Sequence, residues 1–262
     1  MSEDYEERSV CLPELAALIE GASGAGTRVV SLVGGGGKTS AMFALGRLFT
    51  RRGLRVLAAT TTRILDPETA SEREGRLFGK VVALGDPASR EGRKILSDAE
   101  SPLVLGSRHE GEKLCGVDPA AIDAVADLFD LVIVEADGSR GLPIKAPASH
   151  EPVVPASSCA VIGVVGLDAL GRPMNERVVH RPELFGPLVG CAHGERITAA
   201  HVARLAASPL GLFKGAPAKA RRIVLLNKAD LVASESATAC REAIRALDCV
   251  CEVVLGAIGA RV

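Results

Sequence analysis

A run of four glycines constrains the fold of this chain more than any other feature of its sequence. The glycines, residues 34–37, follow the short apolar stretch 29–33 and are followed directly by Lys38 and Thr39. From Lys38 onward, apolar side chains recur at helical spacing until Gly53, a usual helix terminator. The sequence therefore predicts a buried strand, a glycine-rich turn and a helix in direct succession.

This succession is typical of the phosphate-binding loop (P-loop) of nucleoside triphosphatases. Glycines leave backbone N–H groups open to phosphate oxygens, and the helix N-terminus adds a favourable dipole. In the usual pattern the lysine reaches the outer phosphates and the following hydroxyl binds Mg²⁺. Leu32 stands where the pattern has its first glycine, and the alternative interpretation is a glycine-rich turn with an incidental lysine. The predicted phosphate-binding residues are Gly34, Gly35, Gly36, Gly37, Lys38, Thr39 and Ser40.

A second motif, Asn227-Lys228-Ala229-Asp230, comes directly after the apolar stretch 222–226. It resembles the N-K-x-D element by which GTPases hold guanine. An aspartate carboxylate accepts hydrogen bonds from both N1–H and the exocyclic amine of guanine, and adenine has no such pair of donors. The motif predicts base binding by Asn227, Lys228 and Asp230 and favours GTP over ATP. An ordinary helix cap and turn is the alternative.

Acidic residues follow a third apolar stretch, 131–134, at the kind of strand end where ligands of open α/β sheets gather. We expect Asp137 to bind Mg²⁺ and the Gly138 N–H to sense the terminal phosphate. Glu135 would position water or pair with Arg140. Solvated charges at a strand end are the alternative. The predicted catalytic residues are Lys38, Asp137 and Glu135.

The predicted metal ligands come from three places in the sequence. Thr39 belongs to the glycine turn and Asp137 to the acidic segment. Thr61, in the triplet 60–62 after the predicted strand 54–59, would offer its hydroxyl to Mg²⁺ or to the terminal phosphate. Threonine is also frequent in strands for packing reasons, so Thr61 has a structural alternative.

Composition disfavours several classes of function. Apolar residues make up 47% of the 262 residues but aromatic residues only 3%, so Val, Leu, Ile and Ala must build the core. This disfavours the aromatic stacking surfaces of single-stranded nucleic-acid binders. A net charge of −1 disfavours polyanion binding. With no leader-like or membrane-spanning apolar run, we expect a cytoplasmic protein that binds neither nucleic acid nor membranes.

The order of elements predicts one α/β domain over residues 1–262. Strand, helix and strand alternate as in parallel βαβ units, so we expect a P-loop NTPase-like, mostly parallel sheet with helices on both faces. Insertions are expected at 66–130 and 142–210. Residues 142–155 contain four prolines and are interpreted as a functional loop without regular structure, which we name the proline-rich loop.

Nearly the whole chain resembles the YqeC family, described as accessory proteins of selenium-dependent molybdenum hydroxylases. The matching segments are residues 30–33 with the glycine run and Lys38-Thr39, 60–62, 135–147, 149–152, 166–171, 180–183 and 227–230. The resemblance implies a role in maturing the selenium-containing molybdenum cofactor. It implies a molybdenum hydroxylase, or its cofactor-maturation machinery, as partner.

Three functions remain open at this point. The first is a GTP- or ATP-dependent maturation factor whose hydrolysis switches the proline-rich loop between two arrangements. The second is a small-molecule kinase with Asp137 or Glu135 as base. The third is a non-hydrolysing carrier that binds a molybdopterin dinucleotide and holds selenium with its cysteines; Cys191, His193 and His180 form one candidate set of soft ligands.

Overall fold

The computed structural model describes residues 11–22, 28–68, 79–247 and 251–258. Its main feature is an eight-stranded sheet. The strands of this sheet are β1 (Arg28–Gly34), β2 (Val56–Thr60), β4 (Lys80–Ala83), β5 (Leu103–Gly106), β8 (Leu131–Glu135), β10 (Ser158–Gly166), β12 (Arg221–Asn227) and β13 (Glu252–Leu255). Their order is β13-β12-β10-β1-β8-β2-β5-β4, and every neighbouring pair is parallel. The predicted parallel α/β fold is confirmed.

Seven α-helices connect and cover these strands within the described residues. They are α1 (Cys11–Glu20), α2 (Lys38–Arg51), α3 (Arg90–Asp98), α4 (Pro119–Val125), α5 (Pro182–Val189), α6 (Ala199–Ala207) and α7 (Ser234–Arg245). None of these helices combines the length and the apolar character that crossing a bilayer requires. The strand, turn and helix predicted around the glycine run are confirmed, since β1 ends at Gly34 and α2 begins at Lys38.

Helices lie on both faces of the sheet because side chains alternate along each buried strand. In β1, Val30 and Leu32 belong to a core shared with α1 and α2. Val33 belongs to a core shared with α5, α6 and α7, and Val29 to one shared with α3 and α4. Leu32, the residue that departs from the usual glycine pattern, is fully buried in the first of these cores.

The two stretches predicted as insertions both contribute to the sheet. Residues 66–130 supply the edge strand β4 and its neighbour β5, although 69–78 lie outside the described residues. The small strands before β8 are β3 (Ile64–Leu65), β6 (His109–Glu110) and β7 (Lys113–Leu114), which form an antiparallel sheet. Residues 142–210 supply β10, α5 and α6.

The proline-rich loop contains one piece of regular structure that the sequence analysis did not expect. Strand β9 (Ile144–Lys145) pairs in parallel with β11 (Val179–His180). Between Pro143 and Pro147, the backbone still has free N–H groups, and Ala146 donates to the carbonyl of His180 at 3.3 Å. The prediction that this loop lacks regular structure is therefore wrong at β9.

Candidate functional site

The glycine turn lies at the middle of the sheet, because β1 is flanked by β8 and β10. Three of its glycines have left-handed backbone angles, with φ of 94° at Gly34, 83° at Gly36 and 118° at Gly37. A Cβ on Gly36 would lie 2.3 Å from the backbone nitrogen of Gly166, and one on Gly37 would lie 2.6 Å from Nδ2 of Asn227. Both the backbone conformation and the close neighbours therefore require glycine here.

Three N–H groups of the turn bond to other parts of the protein. Gly34 donates to both carboxylate oxygens of Asp137, at 3.1 and 3.0 Å. Gly35 donates to the carbonyl of Val164 at 2.9 Å, and Gly36 to that of Leu142 at 3.0 Å. All three N–H groups thus bond to acceptors of the protein itself, and one of these acceptors, Leu142, belongs to the proline-rich loop. We call this arrangement the closed state of the turn.

Lys38 is buried at the start of α2, with only 3% of its surface exposed. Its ammonium donates to the carbonyl of Gly34 at 2.6 Å and lies 3.2 Å from Oδ1 of Asp137. The ammonium of Lys145 lies 3.1 Å from Oδ2 of the same carboxylate. Asp137 is thus shared by two buried lysines. The structure brings it to Lys38 and Gly34, whereas the sequence predicted that it binds Mg²⁺.

Glu135 is the carboxylate that contacts Thr39. The Thr39 hydroxyl donates to Oε2 of Glu135 at 2.6 Å, while Oε1 lies 3.8 Å from the ammonium of Lys38. Burial raises the pKa of Glu135, and the charge of Lys38 and the Thr39 hydrogen bond oppose this. A hydroxyl next to a carboxylate is a pair of oxygen ligands that suits Mg²⁺.

The remaining residues predicted near the phosphates have structural contacts or face solvent. The Thr61 hydroxyl donates to the carbonyl of Val153 at 2.8 Å, which ties the end of β2 to the proline-rich loop. The carbonyl of Gly138 accepts from the ammonium of Lys145 at 2.8 Å. Ser40 is exposed in the first turn of α2.

The Asn-Lys-Ala-Asp segment lies beside the glycine turn at the end of β12. Asn227 donates through Nδ2 to the carbonyls of Gly36, at 2.9 Å, and Ile258, at 3.1 Å, and accepts from the N–H of Ile258 at 2.7 Å. Lys228 pairs with Asp168 at 2.8 Å. Asp230 is exposed. Asn227 therefore joins the glycine turn to the C-terminal loop, and Asp230 is open to a ligand.

Sequence reasoning missed a charged network that extends from Asp137. The Glu151 carboxylate accepts from Lys145 at 2.6 Å and from Arg181 at 2.5 and 3.1 Å. Burial raises the pKa of Glu151, but the hydrogen bonds from Arg181 and Lys145 outweigh it and lower the pKa to about 2. Lys145 and Glu151 lie in segments quoted for the family resemblance. The one sequence signal for this network was Lys145, a lone charged residue among apolar residues and prolines.

The three soft ligands suggested by the sequence differ in their surroundings. His180 lies beside this network; its burial, and then the charges of Arg181, Lys145 and Arg140, lower its pKa to about 4. His193 is exposed, with its Nε2 3.6 Å from Glu176. Cys191 has Glu195 and His201 beside it instead.

Comparison with known proteins is consistent with the sequence resemblance. A family model described as "YqeC protein" matches residues 30–183. A protein of Escherichia coli (strain K12), described as "Uncharacterized protein YqeC", is 36% identical over 202 residues, which are 76% of this chain and 75% of that protein. The chain belongs to the YqeC family. The matched range contains the glycine turn, the acidic segment and the whole charged network, and the Asn-Lys-Ala-Asp segment lies beyond it.

Proposed function

We propose that this YqeC family protein binds and hydrolyses a magnesium nucleoside triphosphate at the glycine turn, with GTP favoured over ATP. The observation that carries the proposal is the start of α2. There the Thr39 hydroxyl lies 2.6 Å from Glu135, next to the buried ammonium of Lys38. A lysine and a hydroxyl directly after a glycine-rich turn, with a carboxylate from the neighbouring strand, match the chemistry of triphosphate binding.

Binding requires the turn to exchange internal contacts for contacts with phosphate. Lys38 would leave the carbonyl of Gly34, and the Gly34 N–H would leave Asp137. Asp137 would keep its pairing with Lys145 and so would not become an unpaired buried charge. Thr39 and Glu135 would hold Mg²⁺, which neutralises charge on the phosphates when bound.

The same exchange would move the proline-rich loop. The Gly36 N–H donates to Leu142, and Gly166 donates to the carbonyl of Pro143 at 2.8 Å, so the beginning of the loop lies directly on the glycine turn. A phosphate oxygen that takes the Gly36 N–H would release Leu142. The Lys145–Glu151–Arg181 network would carry the change to the start of α5, which makes the loop a switch controlled by the nucleotide.

Guanine preference is proposed for Asp230, which is exposed beside the buried Asn227. Asn227 fixes the position of this segment through its bonds to Gly36 and Ile258. The Asn227 side chain would connect a base held by Asp230 to the glycine turn that holds the phosphates. Within the described part of the chain, no side-chain hydrogen bond or ion pair of Asp230 has to break for its carboxylate to accept from guanine.

The first test is calorimetric titration with GTP and with ATP in the presence of Mg²⁺. Lys38→Ala should weaken binding about 10- to 100-fold, since one hydrogen bond to a charged group contributes about 1.5–3 kcal/mol. Lys219→Ala, which removes an exposed lysine, is the matched control and should leave affinity unchanged. Equal affinity of wild type and Lys38→Ala for both nucleotides would refute the proposal.

Two further measurements test the preference for guanine and the hydrolysis reaction separately. Asp230→Asn should abolish any preference for GTP without lowering ATP affinity, since it exchanges an acceptor for a donor at one edge of guanine. Release of free phosphate from GTP in the absence of any acceptor identifies a hydrolase. Phosphate transfer that requires a second small molecule would identify a kinase instead.

The cellular role that we propose is the one implied by the resemblance of the sequence: maturation of the selenium-containing cofactor of a molybdenum hydroxylase, with the hydroxylase or its maturation machinery as partner. In cells that make such an enzyme, loss of this protein should abolish hydroxylase activity. Wild type should restore that activity and Lys38→Ala should not. Full activity without the protein would refute the role.

A further inference from the structure

A second site lies away from the glycine turn, beside α5 and α6. A cavity of about 650 Å³ opens there, and its lining includes Met174, Glu176, Glu183, Cys191 and Glu195. Among the residues that the structure describes, Cys191, Glu195 and His201 are the one group of three potential metal ligands whose ligand atoms all lie within 4.8 Å of one another. A thiol and a carboxylate at the wall of a cavity thus lie beside the imidazole of the buried His201.

Local structure explains why these three residues converge. Helix α5 ends at Val189, and the left-handed φ of 68° at the following Gly190 turns the chain so that Cys191 is buried. Glu195 is held by a 2.8 Å hydrogen bond from the N–H of Ala192 to its Oε2. His201 is buried in the first turn of α6, and its Nε2 lies 3.9 Å from Oε1 of Glu195.

We propose that Cys191, Glu195 and His201 bind a divalent zinc ion, with a fourth position open to the cavity. Thiolate and imidazole together select zinc among the common divalent ions, and a carboxylate oxygen is an accepted third ligand. Three protein ligands with an open fourth position are typical of zinc sites that bind a further ligand. The cavity beside Cys191 and Glu195 provides space for water or a small donor molecule.

The ligand atoms must move only slightly to close around the ion. Zinc bonds of about 2.0–2.3 Å in a tetrahedron place ligand atoms roughly 3.5 Å apart, against the upper limit of 4.8 Å seen here. Oε1 of Glu195 already lies 3.9 Å from Nε2 of His201, so these two atoms must approach by only about 0.4 Å, and no pair of ligand atoms must approach by more than about 1.3 Å. The N–H of Ala192 bonds to Oε2 of Glu195, which leaves Oε1 for the ion.

One hydrogen bond opposes zinc binding. Nδ1 of His201 accepts from the N–H of Thr198 at 3.2 Å, so the neutral ring carries its proton on Nε2, the atom that faces Glu195. Coordination through Nε2 moves that proton to Nδ1 and breaks this bond. A long bond between neutral groups is much weaker than the coordination of zinc by a thiolate and an imidazole, so the ion prevails.

The test uses the full-length, reduced and chelator-free protein titrated with Co²⁺, a coloured substitute for zinc. We expect one equivalent to bind, with a sulfur-to-cobalt charge-transfer band that added Zn²⁺ abolishes. Cys191→Ser should lose this band. His193→Gln, which changes an exposed histidine at the cavity, and Cys159→Ser, which removes another thiol, should keep it.

A second variant keeps the test decisive if Cys191→Ser does not fold. Glu195→Gln changes a partly exposed side chain. It should weaken Co²⁺ binding by at least about tenfold, since even outer partners of metal ligands change affinity by that much. Absence of Co²⁺ binding, a band that persists in Cys191→Ser, or unchanged affinity in Glu195→Gln would overturn the proposal. None of these outcomes depends on nucleotide binding.

Discussion

The two ends of the proposed nucleotide site differ in how far the protein's own groups fill them. At the phosphate end, Asp137 is buried between two lysines, and the N–H groups of Gly34, Gly35 and Gly36 all have acceptors within the protein. At the base end, Asp230 is exposed beside a rigidly held Asn227. The phosphate end would therefore have to rearrange for a nucleotide to bind, whereas the base end is already open.

This difference explains how one site would combine recognition with a switch. An open base end would select the nucleotide before any internal bond breaks. The phosphate end would then couple the terminal phosphates to the proline-rich loop, because the ligand and the loop would compete for the same N–H group of Gly36. The predictions below test whether the two ends differ energetically as they do structurally.

The largest difference in the free energy of unfolding is expected between variants of Asp137 and of Asp230. Asp137→Asn should lower the free energy of unfolding by roughly 3–5 kcal/mol, because the buried Lys38 and Lys145 lose the carboxylate that they share. Asp230→Asn, at the exposed base end, should change it by no more than about 0.5 kcal/mol. Urea unfolding of both variants measures the two values. Equal losses would show that the phosphate end is no more closed than the base end.

A smaller loss is expected from added bulk in the glycine turn. Gly37→Ala places a Cβ 2.6 Å from Nδ2 of Asn227 at a residue with φ of 118°, and backbone strain alone costs about 1–3 kcal/mol. Gly85→Ala is the control, since a Cβ at Gly85 meets nothing within 4 Å. Thermal unfolding should separate the two variants clearly. A stable Gly37→Ala protein would show that the link through Asn227 is loose.

The sequence predicted the parts of this site that depend on neighbouring residues. The strand, glycine turn and helix are local, since the apolar stretch, the four glycines and the helical spacing after Lys38 directly follow one another. The position of Glu135 and Asp137 at the end of β8 also follows from a single apolar stretch. Both predictions place residues at the correct edge of the sheet without any tertiary information.

The partners of those residues could not be predicted in the same way. Glu135 and Asp137 are two residues apart. The pairing of β8 with β1 brings the first to Thr39, and the path of the chain after β8 brings the second to Lys38. Lys145 reaches Asp137 because the proline-rich loop folds back over the turn. Likewise, the sequence grouped Cys191 with His193, but the turn after α5 and the start of α6 bring His201 beside it. These contacts depend on tertiary packing and have no sequence spacing of their own.

The smallest change in the free energy of unfolding is expected for Glu135→Gln. This substitution should stabilise the protein at neutral pH, whereas Asp137→Asn should destabilise it. Burial is the largest influence on the pKa of Glu135 and raises it in the folded protein. The contribution of Glu135 to stability is therefore fully present below the ordinary pKa of 4.5 and is lost as the pH rises through the raised value. Glu135→Gln has no such loss, because its side chain stays neutral.

Glu135→Gln should therefore unfold at higher urea concentration than wild type at neutral pH, and the two curves should converge as the pH falls below 4.5. Glu100→Gln, at an exposed position, should follow wild type throughout. The same substitution should weaken binding of the magnesium nucleotide, since it removes the carboxylate beside Thr39. If Glu135→Gln is instead less stable at neutral pH, the attraction to Lys38 exceeds the effect of burial, and both carboxylates at the phosphate end hold the closed state. A gain in stability would mean that Asp137 is the one carboxylate of the two that holds it, and that Glu135 lowers the stability of the ligand-free protein, as expected of a group that serves ligand binding.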